Sequence, residues 1–155
     1  MIRVVVVNWN AADLTSRCLR SLEVTDWPAP DLDIVVVDNG SIDGSLEILR
    51  RRHPDCRFIA TGMNLGFAEA CNRAMADLDG IDHVALVNND TEVDPGWLAP
   101  LVRVMADDAA VGAVSPRMVF DRWFHEVEVS VDGDGPRARL TDLRVDGTDR
   151  LASVL

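Results

Sequence analysis

Asn88, Asn89 and Asp90 follow directly on the apolar run Val84-Ala85-Leu86-Val87. Such a run reads as a buried strand. A strand ending in two carboxamides and a carboxylate delivers oxygen donors at its C-terminal end, where open α/β sheets bind ligands. Thr91, Glu92 and Val93 come next, and then Asp94-Pro95, a helix-start signal. Oxygen donors on a loop, with no His or Cys among them, suit a hard divalent cation such as Mg²⁺ or Mn²⁺, which in turn suits a diphosphate. Asn-Asn-Asp also reads as an ordinary polar turn after a strand. The other strand ends decide between the two.

They repeat the pattern. Residues 2–7, β-branched but for Arg3, carry the mark of a strand buried on both faces, and the run stops at Asn8-Trp9-Asn10. Residues 32–37 stop at Asp38-Asn39-Gly40-Ser41, and a short strand at 57–60 runs into Thr61-Gly62-Met63-Asn64-Leu65-Gly66. In a parallel sheet these ends share one edge. Asn8 and Asn10, Asp38 and Asn39, Asn64 and Gly66, and Asn88 to Asp90 then line one crevice, which is a nucleotide site by position. Asp38 can accept hydrogen bonds from a base or ribose, Trp9 can stack near the base, and Gly66 lets backbone approach a ligand closely. Asp90 would hold the metal. A dehydrogenase or a Walker-type NTPase is disfavoured, because the first turn has neither Gly-rich signature.

The elements that position these ends alternate. Leu14, Cys18, Leu19 and Leu22 keep helical spacing, as do Leu46 with Leu49, and Phe67, Cys71, Ala74, Met75 and Leu78. A fourth helix is expected from Pro95, with Trp97, Leu98, Leu101, Val102 and Met105 facing the core. Residues 111–119 read as a fifth strand interrupted by Pro116. The order β-α-β-α-β-α-β-α-β predicts an α/β fold with a mostly parallel open sheet and helices on both faces. From residue 121 the pattern changes: 126–131 alternates, 132–136 is a turn and 137–145 returns. The expected division is an α/β core over 1–120 and an incomplete, hairpin-like region over 121–155.

Bulk properties narrow the partners. The 155 residues carry 26 acids and 15 bases, all arginine, for a net charge of -11, and no basic stripe suits nucleic acid. A polyphosphate would meet repulsion here unless a metal or backbone donors offset it. Three widely spaced cysteines form no Cys-x-x-Cys pair, so neither a zinc site nor a disulfide framework is indicated. A reducing, cytoplasmic setting is expected, with no secretory signal and no apolar run near the ~20 residues of a membrane span. His53, His83 and His125 are isolated and get no ligand role. Trp27, Trp97 and Trp123 read as packing residues, and Arg50-Arg51-Arg52 as a solvated helix end.

Four ordered motifs carry a resemblance. Val5-Val6-Val7-Asn8-Trp9-Asn10 resembles the opening strand of glycosyltransferase family 2, which has the GT-A (nucleotide-diphospho-sugar transferase-like) fold. Val36-Val37-Asp38-Asn39-Gly40-Ser41 with Asp43-Gly44-Ser45 is similar to its second motif. Asn64-Leu65-Gly66-Phe67-Ala68 with Asn72-Arg73 is similar to a third. Leu86-Val87-Asn88-Asn89-Asp90-Thr91 before Asp94-Pro95 resembles its metal motif in the Asn-x-Asp form of rhamnosyltransferase-like members.

The resemblance implies roles by position. Asn8 and its neighbours Trp9 and Asn10 border the nucleobase, and Asp38 binds base or ribose. Asn64 and Gly66, with Asn72 and Arg73 behind them, shape the ribose and diphosphate pocket. Asp90 coordinates Mg²⁺ or Mn²⁺ bridging the diphosphate, with Asn88 near the sugar or metal and Asn89 among the substrate-binding residues. It also implies an inverting transfer from a UDP- or dTDP-sugar to a glycan or lipid-linked acceptor, compatible with a peripheral place at the inner face of a membrane. The family's carboxylate base lies well past the metal motif. None of the 65 residues after Asp90 matches it, and the acids Glu126, Glu128, Asp132 and Asp134 read as solvated strand or turn residues, so the chain reads as a truncated, donor-binding portion. A sugar nucleotidyltransferase would show a Gly-rich basic loop after strand one, which Asn8 to Ala12 does not offer. A non-catalytic nucleotide-binding module of the same fold stays open as the alternative.

Overall fold

The computed structural model describes residues 1–116 and the strand backbones of 124–132 and 135–143. Four strands, β1 (Ile2–Asn8), β2 (Leu32–Asp38), β3 (Arg57–Ala60) and β4 (His83–Val87), form a parallel sheet in the order β3-β2-β1-β4. β1 is central and its side chains are buried on both faces, as its unbroken Val run requires. Alternation along the strands sends Val4, Val6 and Val36 to one face, under α1 (Ala12–Glu23) and α2 (Ser45–Arg52). Val5, Val35 and Val37 face the other way, under α3 (Phe67–Ala74) with Ala70, Cys71 and Ala74. Helices therefore cover both faces, and the strand order reverses between β1 and β4. Open sheets bind ligands at such a reversal.

The parity that places Val4 and Val6 also turns Asn8 toward α1. Asn8 pairs in register with Asp38, which shares the parity of Val36. Two polar residues thus extend an apolar face at the C-terminal edge.

At the opposite edge, Arg3 is buried between strands and α3. Its Nε donates to Asp33 Oδ2 at 2.8 Å, and its NH1 donates to the Ala74 carbonyl at 3.0 Å and to the Asp77 carbonyl. Orphan carbonyls of a helix end are satisfied by a cation. This explains a departure from the sequence reading: α3 stops at Ala74, Leu78 is exposed beyond it, and Phe67 at its start is half exposed. The stripe expected from Phe67 to Leu78 is only its middle.

α4 spans Leu98–Asp107, three residues later than Pro95, because the Asp94 carbonyl first accepts the Trp97 N–H in a turn. Leu98 is buried and Trp97 packs on the α1 side of the core, while Leu101, Val102 and Met105 are half-buried. The fifth strand expected over 111–119 does not form in its described part. Residues 111–116 are irregular after a turn in which Val111 N–H donates to Asp108 O at 3.0 Å. Gly112 and Ala113 are poor strand formers and Pro116 lacks the ladder donor. Residues 117–119 lie outside the described ones.

Contacts divide the chain into Met1–Val114 and Ser115–Leu155. In the second unit, β5 (Phe124–Asp132) and β6 (Gly135–Leu143) pair antiparallel from Asp132 opposite Gly135 to Phe124 opposite Leu143. Of the four acids weighed as a base, Glu126, Glu128 and Asp132 are on β5, their side chains outside the description, and Asp134 is outside the described residues.

Candidate functional site

At the C-terminal edge the strand tips are stitched together by side chains. Asn8 is 0% exposed and all of its amide is in use. Its Nδ2 donates to Asp38 Oδ1 at 2.8 Å and to Ser41 Oγ at 3.0 Å, and its Oδ1 accepts from Thr15 Oγ1 at 2.7 Å. Thr15 Oγ1 in turn accepts from Asn89 Nδ2 at 3.0 Å. Asn89 follows β4, Thr15 is in the first turns of α1, and Asn8 and Asp38 end β1 and β2. One hydrogen-bonded line therefore spans the reversal point of the sheet.

Asp38 is 3% exposed. One carboxylate oxygen accepts from Asn8 and the other accepts the Ser41 N–H at 3.1 Å, leaving each a second lone-pair direction. Ser41 Oγ also accepts the Asn10 N–H at 2.9 Å, and Asn10 Oδ1 accepts the Ile42 N–H at 2.9 Å. Asn10 has φ +50°, a left-handed conformation that Asn tolerates because its short side chain bonds locally. These bonds hold the loop after β1 to the loop after β2. Trp9 stands beside them, 55% exposed.

A second clamp joins the loops after β2 and β3. Asn39 Nδ2 donates to Asn64 Oδ1 at 3.1 Å and to Gly66 O at 3.3 Å, while Asn39 Oδ1 accepts the Leu65 N–H at 2.9 Å. Asn64 Oδ1 also accepts the Gly66 N–H at 2.9 Å. Gly66, at φ +80°, leads into α3. Asn72 and Arg73 are exposed further along α3, with Arg73 Nε 3.1 Å from Glu69 Oε1.

The loop after β4 is more open. Asn88 and Asp90 are exposed and Asn89 is half-buried. The Asn88 carbonyl accepts from Cys18 Sγ at 3.5 Å. Burial, with the Asp90 and Glu92 carboxylates as further causes, pushes the Cys18 thiol up to about 12, so it stays protonated and able to donate. Asp90 thus sits near the first turns of α1. Among the described residues, no three His, Cys, Asp or Glu side chains gather as a ready cation cage. A single open carboxylate fits a hard cation shared with phosphate oxygens of a ligand, not one caged by protein alone.

The strand ends expected to meet do meet, but with different duties. Asn8 faces inward and organises Asp38; Trp9, Asn88 and Asp90 face outward. Ser41 belongs to the polar end expected for β2 but has no role of its own there, and Thr15, which holds the network with it, lies in no motif. Thr15 shares the buried face of Cys18, Leu19 and Leu22, and a hydroxyl there must find a partner, which is the signal that could have found it.

The family model described as Glycosyl transferase family 2 matches residues 3–142. The chain is 31% identical over 124 residues to the N-acetylglucosaminyl-diphospho-decaprenol L-rhamnosyltransferase of Mycobacterium tuberculosis, covering 73% of this chain and 39% of that protein. It is 32% identical over 108 residues to the uncharacterized glycosyltransferase YibD of Escherichia coli, covering 68% and 30%. The chain thus spans well under half the length of these relatives. Among solved structures, the mannosyltransferase PcManGT of Pyrobaculum calidifontis, in complex with GDP-Man and Mn²⁺, aligns with TM-score 0.61 and 30% identity over 68% of this chain and 32% of that one. Residues 1-349 of S. aureus TarS in complex with UDP align with TM-score 0.59 over 79% of this chain and 40% of that one; at 20% identity this speaks for the fold alone.

Proposed function

Since the chain belongs to glycosyl transferase family 2, we propose that it carries the donor-binding part of an enzyme moving a sugar from a nucleoside diphosphate to an acceptor hydroxyl. The observation that carries this reading is the stitched edge: Asp38, held by Asn8 and Ser41, is joined through Thr15 to the loop that bears Asp90. In this reading Asp38 accepts from the base or ribose and Trp9 offers its ring to the base. Asn10 and Asn64 to Gly66 border the ribose, Asn72 and Arg73 back the diphosphate, and Asn88 and Asn89 lie toward the sugar. Asp90 would hold Mg²⁺ or Mn²⁺. When bound, that ion neutralises charge developing on the departing diphosphate. The Mn²⁺ and GDP-Man in the mannosyltransferase neighbour support a divalent ion and a nucleotide sugar here.

The transfer is inverting in this reading. The acceptor oxygen bonds to the anomeric carbon as the bond to the diphosphate breaks, and its proton passes to a carboxylate. Asn8, Thr15 and Ser41 do none of this chemistry; they fix the tips that hold the donor. The rhamnosyltransferase relative, whose name includes a decaprenol diphosphate, supports a lipid-linked acceptor and transfer of a deoxyhexosyl group. The donor in this reading is a hexosyl or deoxyhexosyl group carried on UDP or dTDP. No helix among the described residues is long and apolar enough to cross a membrane.

Calorimetric titration with UDP and with dTDP, with and without Mn²⁺, tests the reading. Binding tightened at least about tenfold by Mn²⁺ is expected, a coupling of ordinary size for two linked ligands. Binding indifferent to metal points instead to a non-catalytic module. Absence of binding in every arm contradicts both.

A further inference from the structure

Resting on the reading above, we propose that Thr15 is a positioning residue that couples the nucleoside end of the donor site to its metal end. Thr15 touches neither ligand in this account. Its hydroxyl bridges Asn8 at the tip of β1 to Asn89 in the loop after β4, and it is wholly buried.

The line has one direction. A hydroxyl has a single proton, and here it goes to Asn8 Oδ1, which leaves a lone pair for the Asn89 amide. That bond fixes which way the Asn8 amide faces, so its Nδ2 points at Asp38 and Ser41. The donors of Asn89, Thr15 and Asn8 therefore run toward the tip of β2 and end on Asp38 Oδ1 and Ser41 Oγ. In a buried chain each bond polarises the next. A ligand that engages Asp38 and a cation held at Asp90, the residue after Asn89, bias the same line from its two ends. Linkage makes the effect mutual.

α1 is well braced for this task. The residue after Thr15, Ser16, is also fully buried, and its Oγ lies 2.8 Å from His53 Nε2 just beyond α2. Cys18, one turn on, reaches the Asn88 carbonyl. The helix is thus fixed on both sides while Thr15 spans the gap between strand tips.

The test is calorimetry on the full chain with UDP, dTDP and GDP in turn, with and without Mn²⁺, for the parent, Thr15→Val and Thr15→Ser. The quantity read is the factor by which Mn²⁺ tightens nucleotide binding. Thr15→Val keeps the shape and deletes the hydroxyl; whatever it does to metal-free affinity, it is expected to remove at least about tenfold of the Mn²⁺ enhancement. Thr15→Ser keeps the hydroxyl and should restore it. A role in stability alone would lower the melting temperature and leave that factor unmoved. Should Thr15→Val not fold, Asn89→Ala cuts the same line at a half-buried loop and is expected to lose the enhancement likewise. An unchanged factor in the variant that folds, with a parent that does respond to Mn²⁺, overturns the coupling and leaves the donor-site reading standing. A parent that binds no nucleotide overturns both.

Discussion

Gly40 lies so close to Met63 that a Cβ built on it would stand 2.5 Å from the Met63 carbonyl carbon. Gly40 also has φ +78°. The loops after β2 and β3 meet there, and the Asn39 bonds to Asn64, Leu65 and Gly66 lock them together.

Gly40→Ala should therefore destabilise more than the ~1 kcal/mol that a left-handed alanine costs, because the Met63 backbone must also shift. Gly44→Ala is the matched control: its φ is +82° and nothing lies within 4 Å of its would-be Cβ. Urea midpoints of the two variants check this, with Gly40→Ala expected to lose at least about twice as much. Equal losses would mean that the close approach to Met63 is unimportant.

His53, Ser16 and Glu23 line up like a base between a nucleophile and an acid, with Ser16 Oγ 2.8 Å from Nε2 and Glu23 Oε1 2.6 Å from Nδ1. Ser16 is wholly buried between α1 and α2, so no substrate reaches it. The trio should act as a structural pin. A fluorophosphonate probe is expected to leave Ser16 unlabelled in the folded protein. His53→Ala should cost about 2–4 kcal/mol in urea unfolding, through a cavity and the loss of the bonds to Ser16 and Glu23, although Ser16 Oγ keeps its bond from Arg20 at 3.1 Å.

The chain has no tyrosine and no lysine, so its cysteines dominate titration between pH 9 and 12. Burial is the main cause that pushes Cys18 and Cys56 up to about 12 from 9.0, and it raises Cys71 as well. In the unfolded chain these thiols ionise near 9, while the folded Cys18 and Cys56 stay protonated. Stability is thus full below about pH 9 and falls as pH climbs toward 12, by up to about 1.4 kcal/mol per thiol per unit for Cys18 and Cys56. Urea unfolding at pH 8 and pH 10 measures the fall, and replacing both residues with alanine should flatten it.

Much of this site is legible in the sequence because β-branched runs with polar ends are local signals. The tips of β1, β2 and β4 fall where Val7, Val37 and Val87 give way to Asn8, Asp38 and Asn88. Alternation also puts Asn8 on the face of Val4 and Val6, a signal that the expected place of Asn8 at the nucleobase does not use. What is not legible is long-range. Arg3 ends α3 early by taking the carbonyls of Ala74 and Asp77, over seventy residues away in sequence. Residues 111–116 have the apolar character of a strand without forming one. Thr15 and Ser16 look like ordinary helix residues until the partners that occupy their hydroxyls are known.

The central claim is that Asp90 holds the cation that meets a donor's diphosphate. Electron paramagnetic resonance of Mn²⁺ tests it most directly, since the six-line signal of the free aqua ion fades on binding. With UDP or dTDP present, the parent chain should quench that signal and Asp90→Ala should leave it near the level of Mn²⁺ and nucleotide alone. Equal quenching by the parent and Asp90→Ala would contradict the assignment.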